Sequence, residues 1–340
     1  MSANSTTPTP SSLSPDRIEQ MKAASVKMKE LSQGIKKFVI GQDEVVQLSI
    51  ATFFASGHLS LKGHPGTGKT FLANTLADGL GLKFKRIQGS PDLMPGDITG
   101  SVARDLKTGA FKLVPGPIFT DMLLVDEDNR MNPKAAAALF EGAQEKQVSL
   151  NGETTSLPEV FFMVATQNPG DHEGTYPQPE ALKDRYLACL EVDYPDAETE
   201  LAIATAPLSR KKEKLLAIFN PEACLSARNM VDDVVIGDDL ARKAGQFIRQ
   251  MRGSSSQLSK DLLDTIRREP GTRAATSIIR LSKALALTEG RLVVDPSDIK
   301  RCAMPVLRHR LEVSAMSSNE KEVMQTIVNE AMKAVGLSPR

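Results

Sequence analysis

The segment Gly63-His64-Pro65-Gly66-Thr67-Gly68-Lys69-Thr70 has the residue types and spacing of a phosphate-binding loop. A strand pattern over residues 58–62 precedes it, and a helical pattern begins at Phe71. In such a loop, successive backbone N–H groups wrap a phosphate at the positive end of the helix. Lys69 would reach the β- and γ-oxygens of ATP, Thr70 would ligate Mg²⁺, and Phe71 is predicted to contact the nucleotide as well. The alternative is an ordinary glycine- and proline-containing turn before a helix.

Polar side chains that could complete a hydrolytic site follow two apolar strand patterns. Asp126 and Glu127 close the pattern over residues 122–125. Asp126 could hold Mg²⁺ through its water shell, and Glu127 could polarise the attacking water. Asn168 follows the pattern over residues 160–166 and could orient that water against the γ-phosphate. The alternatives are a solvated loop start for the acidic pair and a turn-forming asparagine before proline.

Arg185 is a candidate arginine finger, a residue that stabilises charge on a transferring phosphate. It follows Asp184, so an intrahelical or surface ion pair is the alternative interpretation. Arg185 could be catalytic only in an oligomer in which a neighbouring subunit presents it to the γ-phosphate.

Composition restricts the partners. The formal net charge is zero, there is no Trp, and aromatic residues make up 4% of the chain. These values weigh against nucleic acid and anionic lipid, because neither a global positive field nor many stacking platforms are available. The three cysteines form no C-x-x-C pair, and the four histidines lack metal-ligand spacing.

Targeting and membrane signals are not found in the sequence. Residues 1–15 are rich in Ser, Thr and Pro and lack the basic and apolar regions of a signal peptide, so they are predicted to be a disordered tail. No apolar run approaches the length of a membrane span. The predicted location is cytoplasmic.

The order of patterns predicts two folded units. Apolar strands alternate with helices up to about residue 190, which indicates a parallel α/β sheet. Beyond residue 207 the patterns are helical. We therefore predict an α/β nucleotide-binding domain over residues 16–207 and a smaller all-helical lid over residues 208–340. A strand hairpin is predicted around Asn151-Gly152.

These segments together resemble the AAA+ ATPases and, within them, the MoxR family of the helix-2-insert group. The similarity covers about residues 34–313. The segments 63–70 and 123–130 match the two nucleotide motifs of the family. Further matching segments are 40–42, 91–100, 144–148, 165–169, 173–177, 283–287 and 306–311. The sequence departs from the family at Lys183, where an apolar residue is usual, and around Arg273, where the pattern is shorter than Gly-x-Ser-Pro-Arg.

The resemblance implies roles for individual residues. Ile40 and Gly41 would contact adenine, and Asn168 would be the first sensor of the nucleotide. Arg185 would be the finger that acts on a neighbouring subunit. Arg273 would be the second sensor and would reach the γ-phosphate from the lid. The roles given above to Lys69, Thr70, Asp126 and Glu127 agree with the family pattern.

The function implied by the resemblance is a ring-forming ATPase, expected to be a homo-hexamer. It would remodel, mature or activate a client protein or complex, possibly during cofactor insertion, beside a protein with a von Willebrand factor A domain. Two insertions, over residues 89–117 and around Asn151-Gly152, would face the channel of the ring. Two alternatives are a nucleic-acid motor or loader and an ATP-binding switch without turnover. The small basic cluster of Lys83, Lys85 and Arg86 is typical of a solvated face, and the intact Asp126-Glu127 pair weighs against the switch.

Overall fold

The structure is a computed structural model that describes residues 13–104, 111–150, 152–169, 176, 178–205, 214–253, 256–314 and 320–337. Residues 1–12 of the predicted tail and the predicted boundary between domains at residue 207 lie outside these ranges. Within the described ranges, no helix combines the length and the apolar character that crossing a bilayer requires.

The helices follow one another along the chain with these bounds: α1 Pro15–Phe38, α2 Asp43–Phe54, α3 Lys69–Leu80, α4 Pro95–Thr99, α5 Pro133–Glu145, α6 Glu180–Lys183, α7 Ala197–Thr205, α8 Pro221–Val231, α9 Asp238–Gln250, α10 Lys260–Thr265, α11 Thr272–Thr288, α12 Pro296–Leu307 and α13 Glu320–Ala334. The strands are β1 His58–Lys62, β2 Phe84–Gln88, β3 Gly100–Arg104, β4 Phe111–Pro115, β5 Met122–Asp126, β6 Gln147–Leu150, β7 Glu153–Ser156, β8 Phe162–Gln167, β9 Tyr186–Glu191, β10 Ile266–Arg268 and β11 Glu312–Val313.

A five-stranded parallel sheet in the order β2-β5-β8-β1-β9 forms the centre of the first domain. Alternate residues of its central strands enter two different hydrophobic clusters, because side chains alternate between the faces of a sheet. Leu124 and Val164 pack on one face, and Leu123 and Met163 pack on the other. Both faces are therefore covered, which is why these strands are continuously apolar. The predicted α/β fold is confirmed.

Several helices begin where the chain places a capping side chain before a proline. Ser14 accepts a hydrogen bond from the Arg17 amide at the start of α1. Asp295 caps α12 ahead of Pro296, as the sequence predicts. Proline suits the first helical position because its missing N–H would be unpaired there anyway. These local signals set the starts of the helices independently of tertiary packing.

The lid, built from α8 to α13, shares its hydrophobic core with one face of the sheet. Ile278 and Leu285 of α11 belong to the same buried cluster as Phe53 of α2 and Leu31 of α1. The lid is helical, as predicted, with one short addition. β10 and β11 pair antiparallel, with Ile266 opposite Val313. Strands this short show no readable alternation in the sequence.

Two hairpins extend from the sheet domain where the insertions are predicted. β3 and β4 pair antiparallel within residues 89–117, and β6 and β7 pair antiparallel beside Gly152. Gly152 has φ +83°, a left-handed conformation that suits glycine. Asn151, the other predicted turn residue, lies outside the described residues.

Arg310 ties the lid to the edge strand β9. Its guanidinium donates to Asp184 Oδ1 at 2.7 Å and to the carbonyls of Tyr186 at 2.6 Å, Leu187 at 3.2 Å and Val306 at 2.8 Å. The side chain is buried, and burial is the main cause that lowers the pKa of Arg310, although Asp184 opposes it. The Arg310 side chain thus joins β9 of the sheet domain to the end of α12 in the lid.

Arg310→Leu should lower the free energy of unfolding by about 3 kcal/mol, because it leaves buried acceptors without their charged donor. Urea unfolding at neutral pH measures the change. The matched control is Lys333→Ala, whose exposed contact with Glu330 spans 3.7 Å and whose loss should cost less than about 1 kcal/mol. Equal effects of the two substitutions would contradict a joining role for Arg310.

Candidate active site

The phosphate-binding loop lies at the carboxyl end of β1 and runs into α3. Gly66 and Gly68 have φ of +83° and +85°, so the loop needs glycine there for its conformation. Space is not the reason, since a Cβ at either position would meet nothing within 4 Å. Gly63 is different, because a Cβ there would lie 2.2 Å from the Val192 carbonyl oxygen. The loop therefore encloses open space lined by its own backbone, as a phosphate cradle requires.

Lys69 points into this loop. Its Nζ donates to the carbonyl oxygens of Gly63 and His64, each at 2.7 Å. Burial lowers the pKa of Lys69, while Asp126 and Glu127 act in the opposite direction. The ammonium is thus held at the site by neutral carbonyl acceptors, which charged phosphate oxygens can replace.

Asp126 ends β5 beside the loop and collects donors from three elements. Thr70 Oγ1 lies 3.4 Å from Asp126 Oδ2, and Arg86 Nη2 lies 2.6 Å from the same oxygen. Thr166 Oγ1, on β8, donates to Asp126 Oδ1. The carboxylate is therefore fixed with one oxygen directed toward the hydroxyl of the phosphate-binding loop.

The oxygens of Thr70 and Asp126 fit Mg²⁺. This ion keeps several waters and is held in nucleotide sites by one or two protein oxygens together with substrate phosphates. Among the described residues, no group of three or more His, Cys, Asp or Glu side chains could hold a metal by itself. The donor set is what a metal shared with a nucleotide needs.

Glu127 stands at the same edge in a left-handed conformation, with φ +56°. Its amide donates to Thr166 Oγ1 at 3.0 Å. Its carboxylate accepts from Gln88 Nε2 at 3.1 Å, Asn168 Nδ2 at 3.2 Å and Arg130 Nη1 at 3.3 Å. The structure thus brings Glu127 and Asn168 into direct contact, as their predicted roles require.

Arg86 and Gln88 are site residues that the sequence analysis missed. The sequence pattern predicts that Arg86 lies on a solvated basic face, but in the structure Arg86 pairs with Asp126. Gln88 contacts Glu127. The period of a strand places both residues on one face of β2. That alternation was the available signal, but the sequence does not show that β2 lies beside β5.

The residues predicted near adenine lie beside the chain that leaves β9. Gly41, at φ +76°, packs so close to Thr199 that a Cβ would lie 2.8 Å from its methyl group. Gln42 Nε2 donates to the Asp193 carbonyl at 2.8 Å, which holds the segment that begins at Ile40. The rings of His64 and Tyr194 stack with their centroids 5.5 Å apart.

Phe71, the last residue predicted to bind the nucleotide, follows the loop in α3. Its side chain is 47% exposed. An exposed aromatic ring at this place leaves an apolar surface beside the phosphate-binding loop.

Arg185 and Arg273 lie at the opposite edge of the sheet. Arg185 immediately precedes β9 and donates to the Phe140 carbonyl at 3.0 Å. Arg273 Nη1 pairs with Asp184 Oδ2 at 3.1 Å. β1 and β9 are parallel, with one register shift between His58 and Leu59, so the length of β9, roughly 17 Å, separates these arginines from the level of the phosphate-binding loop. The structure therefore does not bring either arginine to the P-loop of its own chain.

The fold and the site define a P-loop ATPase of the AAA+ class. Residues 58–188 match the family described as ATPase family associated with various cellular activities (AAA), and residues 269–331 match the AAA lid domain. The chain belongs to the MoxR family of these ATPases and is an ATP hydrolase.

Individual relatives cover most of the chain. YeaC of Bacillus subtilis (strain 168), described as uncharacterized, is 34% identical over 88% of this chain and 92% of its own. Chaperone MoxR1 of Mycobacterium tuberculosis is 32% identical over 89% of this chain and 80% of its own. A solved structure of a candidate ATPase from Cytophaga hutchinsonii superposes with a TM-score of 0.81 at 32% identity, covering 93% of this chain and 96% of that one.

His58, at the start of β1, is held as a neutral imidazole. The Met163 amide donates to its Nδ1 at 3.2 Å, so the ring proton must sit on Nε2, which faces the Ala143 carbonyl at 3.4 Å. Burial lowers the pKa of His58 to about 4, and the nearby Arg228 and Lys146 act in the same direction. Protonation would place a second proton against the Met163 N–H.

His58→Gln should flatten the loss of stability in acid, because the amide can make the same two hydrogen bonds without titrating. In the parent, stability falls as pH drops from about 6.5 to about 4, since the unfolded chain then binds a proton that the folded chain does not. The loss should reach up to about 3 kcal/mol. Urea unfolding across this pH range measures it. His309, whose pKa is also lowered by burial, contributes equally to both proteins, so parallel curves would contradict the assignment.

Proposed function

We propose that this ATPase acts as a homo-oligomeric ring, with ATP bound at each seam between subunits. The observation that carries this proposal is the separation of the site across the sheet. The P-loop, Asp126 and Glu127 lie at the carboxyl edge, whereas Arg185 and Arg273 lie at the amino edge. A second subunit that places its amino edge against the loop completes the site, and six subunits are the expected number.

Within one subunit, the residues divide the work of hydrolysis. Lys69 would exchange its carbonyl acceptors for β- and γ-phosphate oxygens, and Thr70 and Asp126 would hold the metal. Mg²⁺, when bound with ATP, neutralises charge on the phosphate oxygens. Glu127 accepts a proton from the attacking water, and Asn168, 3.2 Å from that carboxylate, orients the water.

The neighbouring subunit supplies the positive charge that the transition state requires. Arg185 is the finger, and Arg273 acts beside it as the second sensor, because both flank Asp184. Arg273 belongs to the lid and Arg185 to the sheet domain, so both domains of one subunit contribute to the same side of a seam. Nucleotide state thereby couples to the arrangement of subunits.

The work done by the ring is the remodelling, maturation or activation of a client protein or complex. The name of the relative MoxR1, a chaperone, supports this direction. The hairpins β3–β4 and β6–β7 are proposed to face the channel and to contact the client. We also propose that the ring works with a partner protein that carries a von Willebrand factor A domain. Its proposed location is the cytoplasm.

Glu127→Gln should reduce ATP turnover at least about a hundredfold, because it removes the proton acceptor. ATP binding should persist, since the P-loop and Asp126 are unchanged. Phosphate release and nucleotide binding by the purified proteins measure the two quantities. Equal turnover in parent and variant would exclude Glu127 as the base, and tight binding without turnover in both would indicate a switch.

Mixing variants tests whether Arg185 acts across a seam. Lys69→Ala disables a subunit's own loop, and Arg185→Ala disables the arginine that it offers to a neighbour. Each variant alone should lack turnover, whereas mixed assemblies should regain part of it, because some seams then join an intact loop to an intact arginine. Absence of any recovery in confirmed mixed assemblies would contradict action across the seam.

A further inference from the structure

A cavity of about 280 Å³ opens between the lid and the amino edge of the sheet. The described residues that line it include one carboxylate, Asp184, which already pairs with Arg273 and Arg310. The lining cations are Lys146, Arg185, Arg228, Arg273, Arg280 and Arg310. The cavity therefore carries a large excess of positive charge that its own carboxylate does not balance.

Arg228 of α8 is, with Arg310, one of the two buried arginines that line this cavity, and only 6% of the residue is exposed. Its Nε donates to the Phe53 carbonyl at 3.0 Å, and its guanidinium carbon lies 4.1 Å from the centre of the Phe53 ring. Its Nη2 has no hydrogen-bond partner among the described residues. A buried charged donor without an acceptor is costly, so a bound anion would relieve this one.

The lid supplies the exposed side of the cavity through one face of α11. Arg273, Ser277 and Arg280 follow at helical steps of four and three and all line the cavity. The Arg280 side chain makes no hydrogen bond to another described residue, and its charge lowers the pKa of both Arg228 and Lys146, after the larger effect of burial. Arg228, Lys146 and Arg280 therefore repel one another when no anion is bound.

We propose that this cavity binds a phosphate-class anion, with Arg228 at its buried side and Arg280 at its mouth. Guanidinium groups that converge from different elements match a tetrahedral dianion better than a single planar carboxylate, which one forked arginine satisfies. The phosphate has two sources. One is free inorganic phosphate, and the other is the nucleotide of a neighbouring subunit, which rests on the ring proposed above.

The test begins with nucleotide-free Lys69→Ala protein, in which the P-loop has lost its phosphate-binding lysine and competes less for phosphate. Inorganic phosphate is titrated into it by calorimetry at ionic strength held constant with sodium chloride. Introducing Arg280→Gln as a second substitution in this Lys69→Ala protein should weaken phosphate binding about tenfold, because one charge-assisted contact is lost. Arg228→Gln should act in the same direction. The matched control is Arg242→Gln, an exposed arginine of α9 that does not line the cavity.

The second arm uses the intact loop and follows ATP-dependent assembly by light scattering. Phosphate binding that depends on Arg280 supports the free anion as the ligand, whether or not a ring forms. No phosphate binding, but weaker ATP-dependent assembly in Arg280→Gln than in Arg242→Gln, supports the neighbour's nucleotide. If Arg280→Gln changes neither phosphate binding nor ATP-dependent assembly, the proposal is overturned. Because Arg280 is exposed, this result does not depend on whether Arg228→Gln folds.

Discussion

All five strands of the central sheet are parallel, and this common direction separates the candidate site residues into two groups. Five strands that run in one direction give the sheet two chemically different edges. The loop after β1 and the carboxylates after β5 meet at one edge. Arg185, which directly precedes β9, must lie at the opposite edge, where the strands begin. This separation within one subunit is the basis for the proposal that a second subunit completes the site.

The contact between the lid and β9 turns this geometry into a coupled system. Arg310 spans Asp184 and the backbone of β9, and Arg308 pairs with Glu191 at the far end of the same strand. The lid also continues the hydrophobic core of one sheet face. Both charge and apolar packing thus fix the lid to the edge strand. The amino edge of the sheet, which carries Arg185, and the lid helix α11, which carries Arg273, therefore form one continuous surface.

Charge balance differs between the two edges. At the carboxyl edge, Asp126 and Glu127 are held by donors from neighbouring elements, including Arg86 and Arg130. At the amino edge, positive groups outnumber the single lining carboxylate among the described residues. At the carboxyl edge, the carboxylates are thus each paired with a cation. The amino edge is electropositive and suited to phosphate oxygens, whichever molecule carries them.

Features that depend on neighbouring residues along the chain could be predicted from the sequence. The loop from Gly63 to Thr70, the Asp295 cap and the apolar strand before Asp126 are readable because backbone conformation and burial impose local residue types. Tertiary structure alone decided which strands are adjacent, and so placed Arg86, Gln88 and Thr166 at the carboxylates. It also decided that Arg273 lies beside Asp184, away from its own loop. The physical reason is that strand order and domain docking arise from packing between distant segments, which no local spacing records.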